Sequence, residues 1–208
     1  MAAEIADRFC YTADPPENEV ALAKEKRRYR VLDVTIEPGL DDSDDDSAIT
    51  LEFYEPQGID SAPVILVLPI LNGQKDLVRP FAKHFVRNGY AAVIVDTLQR
   101  RTLLEDLIDP EAAIRRTVIR HGRVLDWVEN QPTLDSSRIG VFGASLGGFN
   151  ALYLAALDDR VRAVVPALVA GDLPYVMVHS TERRIVEAVA AAKETLSMSD
   201  DELEAYLQ

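Results

Sequence analysis

Four short apolar runs, separated by stretches of helical periodicity, constrain this chain more than anything else in it. They are Val64-Ile65-Leu66-Val67-Leu68, Ala91-Ala92-Val93-Ile94-Val95, Ile139-Gly140-Val141-Phe142 and the segment from Val161 to Leu168. A strand without polar alternate positions has to be covered on both faces, as in a parallel sheet with helices on each side. Between the runs, Leu77 to Asn88 reads as a helix with Gly89 at its C′ position. Pro110 to Glu129 reads as a second helix, because Ile114, Val118, Leu125 and Val128 recur at helical spacing; Pro132 stops it. Leu146 to Ala156 is a third. The alternation implies an α/β fold: a mostly parallel twisted sheet, helices on both faces and right-handed crossovers.

Ahead of Pro63 the pattern differs. Val31 to Ile36 and Ile49 to Tyr54 read as two strands of an antiparallel hairpin, the second alternating with period two. Their connection holds Asp41, Asp42, Asp44, Asp45 and Asp46. An EF-hand needs Gly at its sixth position and Glu at its twelfth, which this run lacks, so it reads as a solvated turn. The expected organisation is a polar N-terminal arm over 1–28, an α/β core over 29–170 and a helical, lid-like segment over 171–208. In that last segment Ser199-Asp200-Asp201-Glu202 forms a capping box that opens a helix from Leu203 to Leu207.

The charge balance narrows the function. With 22 Lys and Arg against 35 Asp and Glu, the net charge is −13. Such a surface repels phosphate backbones, which argues against nucleic acid as a partner. No apolar run approaches the length of a membrane span, and the first residues lack the basic flank and apolar stretch of a secretory signal. Cys10 is the single cysteine among 208 residues. No internal disulfide can form, and a cytoplasmic setting fits. One Cys and three scattered His supply no zinc site, and neither a metal nor an organic cofactor is expected.

One motif is sharp. Gly143-Ala144-Ser145-Leu146-Gly147, followed by Gly148, is G-x-S-x-G between a short buried strand and a helix, the context a nucleophile elbow requires. Glycines two residues either side of Ser145 remove side chains that would collide in the tight turn. The Ser145 hydroxyl should then stand exposed on a sharp bend above the C-terminal edge of the sheet. The helix behind it aims N–H groups and the positive end of its dipole at the site, so the N–H of Leu146 would stabilise an oxyanion. The spacing fits neither a Walker phosphate loop nor G-x-G-x-x-G.

The stretch Arg123-Val124-Leu125-Asp126-Trp127-Val128, then Pro132, then Asp135 through Gly148, resembles the α/β-hydrolase superfamily. It is most similar to the branch containing dienelactone hydrolases, acetyl xylan esterases and prolyl-oligopeptidase-like enzymes, and the resemblance covers about residues 30 to 170. It implies a serine hydrolase acting on small-molecule carboxylic esters, with a serine peptidase as the alternative. It also implies that the loop after the strand ending at Leu68 supplies a second oxyanion N–H. That loop reads Pro69-Ile70-Leu71-Asn72-Gly73 where the family often has His-Gly at its start. Pro69 has no N–H, so Leu71 is the expected donor, with Ile70 next to it.

A serine nucleophile needs a base and an acid that orients it. In this superfamily both follow the serine, on later strands than residues 146–208 have room for. The chain therefore reads as the N-terminal part of a longer enzyme with its acid and base missing. A complete non-catalytic binding module and a complete enzyme with an unusual base are the other two readings. Asp172 and His179 follow Ser145 in the right order, but only seven residues separate them. Ser180-Thr181-Glu182 reads as a helix cap beside His179. His84 and His121 precede the serine and read as helix-face residues. Without a base, Ser145 should react poorly with serine-directed probes. The last strand, Val161 to Leu168, would be an exposed apolar edge, a candidate for pairing with a second copy.

Overall fold

The computed structural model describes residues 9, 11, 17–38, 47–70, 73–96 and 102–208. Cys10, the acidic run at 41–46 and the expected oxyanion donor Leu71 lie outside the described residues. The elements run β1 (Asn18–Lys26), β2 (Tyr29–Ile36), β3 (Ile49–Pro56), β4 (Ala62–Leu68), α1 (Lys75–Arg87), β5 (Ala91–Val95), α2 (Leu103–Ile108) and α3 (Pro110–Glu129). They continue with β6 (Leu134–Ala144), α4 (Leu146–Leu157), β7 (Val161–Ala167), α5 (Leu173–Val178), α6 (Arg183–Leu196) and α7 (Asp200–Tyr206).

The seven strands form one sheet in the order β1-β2-β3-β5-β4-β6-β7. Pairing is antiparallel from β1 through β3 to β5 and parallel from β5 through β4 and β6 to β7. The apolar runs divide their side chains between two cores, as strands covered on both faces must. Val64, Leu66 and Leu68 of β4, with Val93 and Val95 of β5, pack with Val124, Leu125, Trp127 and Val128 of α3 and Ala151 and Leu154 of α4. The alternate residues Val67, Ala92 and Ile94 join Tyr54 and pack with Val78, Ala82 and Val86 of α1. Gly89, at φ 88°, ends α1 in the left-handed conformation that glycine adopts without strain. The N–H groups of Gly89 and Tyr90 return to the carbonyls of Val86 and Phe85.

Residues 18–26, expected in a polar arm, form β1 instead. Its side chains are exposed throughout, so its residues carry no burial pattern to mark a strand. What holds it is the backbone ladder to β2. β6 begins at Leu134, five residues ahead of the apolar run that marks it, because its first residues pair with Ala62 and Pro63 of β4.

The described chain divides into two compact units, residues 1–97 with 115–169 and residues 98–114 with 170–208. The first holds the sheet. The second is helical, with Leu107, Ala188, Val189, Ala192 and Leu203 as its buried core. Capping boxes open two of its helices, Thr102 with Glu105 for α2 and Ser199 with Glu202 for α7. The Tyr206 hydroxyl donates to the Ile108 carbonyl at 2.6 Å. No helix among the described residues is long and apolar enough to cross a membrane.

Candidate active site

The C-terminal ends of the parallel strands share one edge of the sheet. Leu68 of β4 is level with Gly143 of β6, Val67 with Ile94 of β5, and Ala144 with Ala167 of β7. Ser145 stands on that edge, between β6 and α4. Its backbone lies at φ 52° and ψ −121°, far from any ordinary non-glycine conformation, and the residue is exposed. Left-handed backbone at a side-chain-bearing residue is strained by roughly 1–3 kcal/mol and persists only where its surroundings enforce it.

Three contacts enforce it here. The Ser145 N–H donates to the carbonyl of Ala167 at 2.9 Å, tying the bend to the end of β7. The Ser145 carbonyl accepts from the N–H groups of Gly148 and Phe149 at 2.8 and 3.2 Å, closing the first turn of α4. The glycines then let the backbone fold back on itself. A Cβ on Gly143 would overlap the backbone of Gly147 and Gly148, and one on Gly147 would overlap the carbonyls of Leu68 and Pro69. Gly148 abuts the Val169 side chain in the same way. None of these three needs a positive φ; each is required by close approach.

The bend leaves the Ser145 hydroxyl without a hydrogen bond to α4. Leu146, next in the chain, opens the helix, so its N–H is one of the first-turn amides with no intrahelical acceptor. The approach of Gly147 to Leu68 and Pro69 also ties the segment after β4 to the elbow. In that segment the Gly73 N–H donates to the Ile70 carbonyl at 3.0 Å.

The sequence-derived acid and base lie in the helical unit, at opposite ends of α5. Asp172 caps that helix and accepts from the Tyr175 N–H at 2.9 Å. His179 ends it, stacks on the Tyr175 ring at 4.3 Å between centroids, and holds Glu204 of α7 at 3.1 Å through Nε2. Asp172 and His179 are therefore each engaged by another group. The Glu204 partner lies 25 residues from His179, a pairing that no local sequence signal marks. His121 is buried on α3; burial draws its imidazole down to about 4, against a hydrogen bond to the Thr117 backbone, with the Arg120 charge assisting the drop. His84 lies on α1 against the Phe85 ring.

The Arg123, Asp126 and Trp127 signature is structural and belongs to the sheet-bearing unit. Asp126 Oδ1 accepts from Arg160 at 2.6 Å and from the Tyr11 hydroxyl at 3.0 Å, while Trp127 meets Phe53 edge-on at 5.2 Å. Burial lifts the Asp126 carboxyl above its ordinary range, although Arg160 and Tyr11 both pull it down. Arg123 lies 4.9 Å from the centre of the Tyr11 ring. No group of three or more metal-ligating side chains occurs among the described residues.

Known proteins share this fold. An acetyl xylan esterase from Paenibacillus sp. R4 superposes with a TM-score of 0.69 at 19% identity, over 99% of this chain and 69% of that one. One from Thermoanaerobacterium sp. JW/SL YS485 superposes with a TM-score of 0.66 at 17% identity, over 98% and 70%. At this identity the likeness is one of fold. In sequence, an uncharacterised 31.7 kDa protein of Escherichia coli is 30% identical over 131 residues, 60% of this chain and 43% of that protein. The quorum-quenching protein AidA of Acinetobacter baumannii is 30% identical over 120 residues, 54% of this chain and 37% of that one. The chain thus spans less than half the length of these curated relatives. A model of the dienelactone hydrolase family matches residues 52–196, from β3 through the elbow to the end of α6. An elbow on the rim of a parallel sheet and a family match across most of its length lead to one conclusion: the chain belongs to the dienelactone hydrolase family.

Proposed function

We propose that this chain carries the nucleophile of a serine hydrolase acting on small-molecule carboxylic esters. The observation that carries the proposal is Ser145, an exposed residue on a strained bend at the start of α4, its side chain making no capping hydrogen bond. In the reaction, Ser145 Oγ attacks the carbonyl carbon of the ester. The carbonyl oxygen becomes an oxyanion held by the N–H of Leu146 and by an N–H of the segment after β4, from Leu71 or Ile70. Preorganised donors of this kind are each worth about 3 kcal/mol of barrier. Collapse expels the alcohol and leaves an acyl group on Ser145, which water then removes. The esterases that share the fold favour an ester over a peptide as substrate. Asp172 and His179 follow Ser145 in the order of an acid and a base, but each is engaged by another group, and neither is assigned a role in this step.

The test is reaction with a fluorophosphonate probe, in which Ser145 Oγ displaces fluoride from phosphorus, followed by peptide mass spectrometry. One adduct is expected, on Ser145, forming slowly because the hydroxyl stays protonated, and absent from Ser145→Ala. A folded chain that gives no adduct on long exposure, or gives one elsewhere, would make this a binding module. If His179 acts as the base, His179→Gln lowers the labelling rate about 100-fold or more. Asp172→Asn and Glu204→Gln then show which carboxylate supports it.

A further inference from the structure

A cluster of buried charge on the same edge of the sheet is unused by the chemistry above. Glu52 of β3 is 6% exposed, an unusual position for a carboxylate. Its Oε1 accepts from Arg79 Nη2 at 2.6 Å, and its Oε2 accepts from Arg79 Nε at 3.1 Å and from the Tyr54 hydroxyl at 3.0 Å. Lys75 lies 3.5 Å from Glu52 and 2.6 Å from Asp96, the residue that follows β5. Asp96 also accepts from the Thr50 hydroxyl at 2.6 Å and donates its N–H to the Thr50 carbonyl at 2.9 Å. Arg79 is bound to Asp76 as well. Lys75 and Arg79, one helical turn apart, thus tie the first two turns of α1 to β3 and to the end of β5.

That attachment stands where an ordinary cap would. Gln74, the N-cap of α1, makes no side-chain capping bond. The described residues on either side of positions 71 and 72 are both held. On the strand side, the carbonyls of Leu68 and Pro69 approach Gly147 too closely to admit a Cβ there, and the Ile70 carbonyl accepts from the Gly73 N–H at 3.0 Å. On the helix side, α1 is tied down through Glu52 and Asp96. An oxyanion donor has to stand within a few tenths of an ångström of its place, and a displacement near 1 Å can cost about 100-fold in rate.

We infer that Glu52 is a positioning residue: through Arg79 and Lys75 it fixes the start of α1, and with it the Gly73-to-Ile70 turn, whose Ile70 N–H is the oxyanion donor this fixes. The inference rests on the function proposed above. Burial works against the Glu52 charge, yet the hydrogen bonds from Arg79 and Tyr54 and the charges of Lys75 and Arg79 keep its carboxyl below the ordinary range, so it is ionised at neutral pH. Tyr54 binds the same carboxylate from β3 and meets α1 only through apolar packing, which Tyr54→Phe keeps, so that variant is an internal control.

The experiment compares wild type, Glu52→Gln, Arg79→Lys and Tyr54→Phe by fluorophosphonate labelling of Ser145 and by amide hydrogen exchange. Glu52→Gln should lower the maximal labelling rate at least tenfold while the probe concentration for half-maximal rate stays within twofold. Exchange at the amides of Gly73 to Leu77 should rise by a similar factor. Arg79→Lys, which keeps the charge but loses the two-pronged contact, should fall between. Tyr54→Phe should leave both readouts near wild type. Unchanged exchange and labelling in folded Glu52→Gln, or equal losses in Tyr54→Phe, would overturn the inference. If Glu52→Gln does not fold, Lys75→Gln, on the partly exposed side of the same cluster, carries the same expectation. If wild type is not labelled at all, the proposed function fails, and the exchange data alone decide whether Glu52 holds this segment.

Discussion

Ser145 and its flanking glycines were legible as a pattern, and the structure supplies the physical reason for the pattern. Gly143 and Gly147 are required by backbone that passes too close for any Cβ. Gly147→Ala is therefore expected to cost about 2 kcal/mol or more in chemical denaturation. Gly58→Ala, at φ 78° but in open space, should cost about 1 kcal/mol, the strain of left-handed backbone alone. His121 was read as a helix-face residue, and its burial carries a pH consequence. The unfolded imidazole titrates near 6.5 and the folded one at about 4, so the unfolded chain binds the extra proton first. Stability from this residue is complete above pH 6.5 and falls as the pH drops toward 4, by about 3 kcal/mol in all. The urea midpoint of wild type should fall relative to that of His121→Leu as the pH drops through that window. Parallel curves would show that the imidazole is not buried in its neutral form.

Among the elements, β4 and β5 were legible because burial on both faces removes polar residues from a strand; β7 was legible from its apolar run alone, and the expectation that it is buried fails, since its residues are half-buried or exposed. α3 was legible from end to end, since its apolar spacing persists for twenty residues. β1 and α2 were not. β1 buries no side chain, and α2, with six residues, is too short to establish a period. The Arg-x-x-Asp-Trp signature was legible only as a likeness; its physical content is a buried charge pair joining α3 to the residue before β7. Asp126 is 4% exposed and depends on Arg160. Arg160→Met should cost about 3 kcal/mol by leaving that carboxylate unpaired, and adding Asp126→Asn should recover part of the loss. Additive costs in the double variant would show that the two residues are not coupled.

For the molecule as a whole, the described sheet has two edges of different character. β1 presents Lys24, Glu25 and Lys26 and a register shift between Leu22 and Lys24, features that discourage strand addition. β7 presents Val165 at 56% exposure, and Leu168 beyond its end is 88% exposed. Association with a second copy through β7 is expected to grow with concentration in light scattering and to weaken in Val165→Lys; a monomer at all concentrations would exclude it. The identity of the base was the part of the site least legible in the sequence, because bases in this superfamily are brought to the serine by tertiary structure and not by spacing. The central claim needs no base to be tested. It is that the side chain at position 145 stands in the open at the positive end of α4. Ser145→Cys, made together with Cys10→Ser, replaces the hydroxyl with a thiol whose ionisation reports that field directly. Its rate of alkylation by iodoacetamide as a function of pH should give a thiol pKa at least one unit below the ordinary value of about 8.5. A thiol that resists alkylation, or one that titrates above 8.5, would contradict the account.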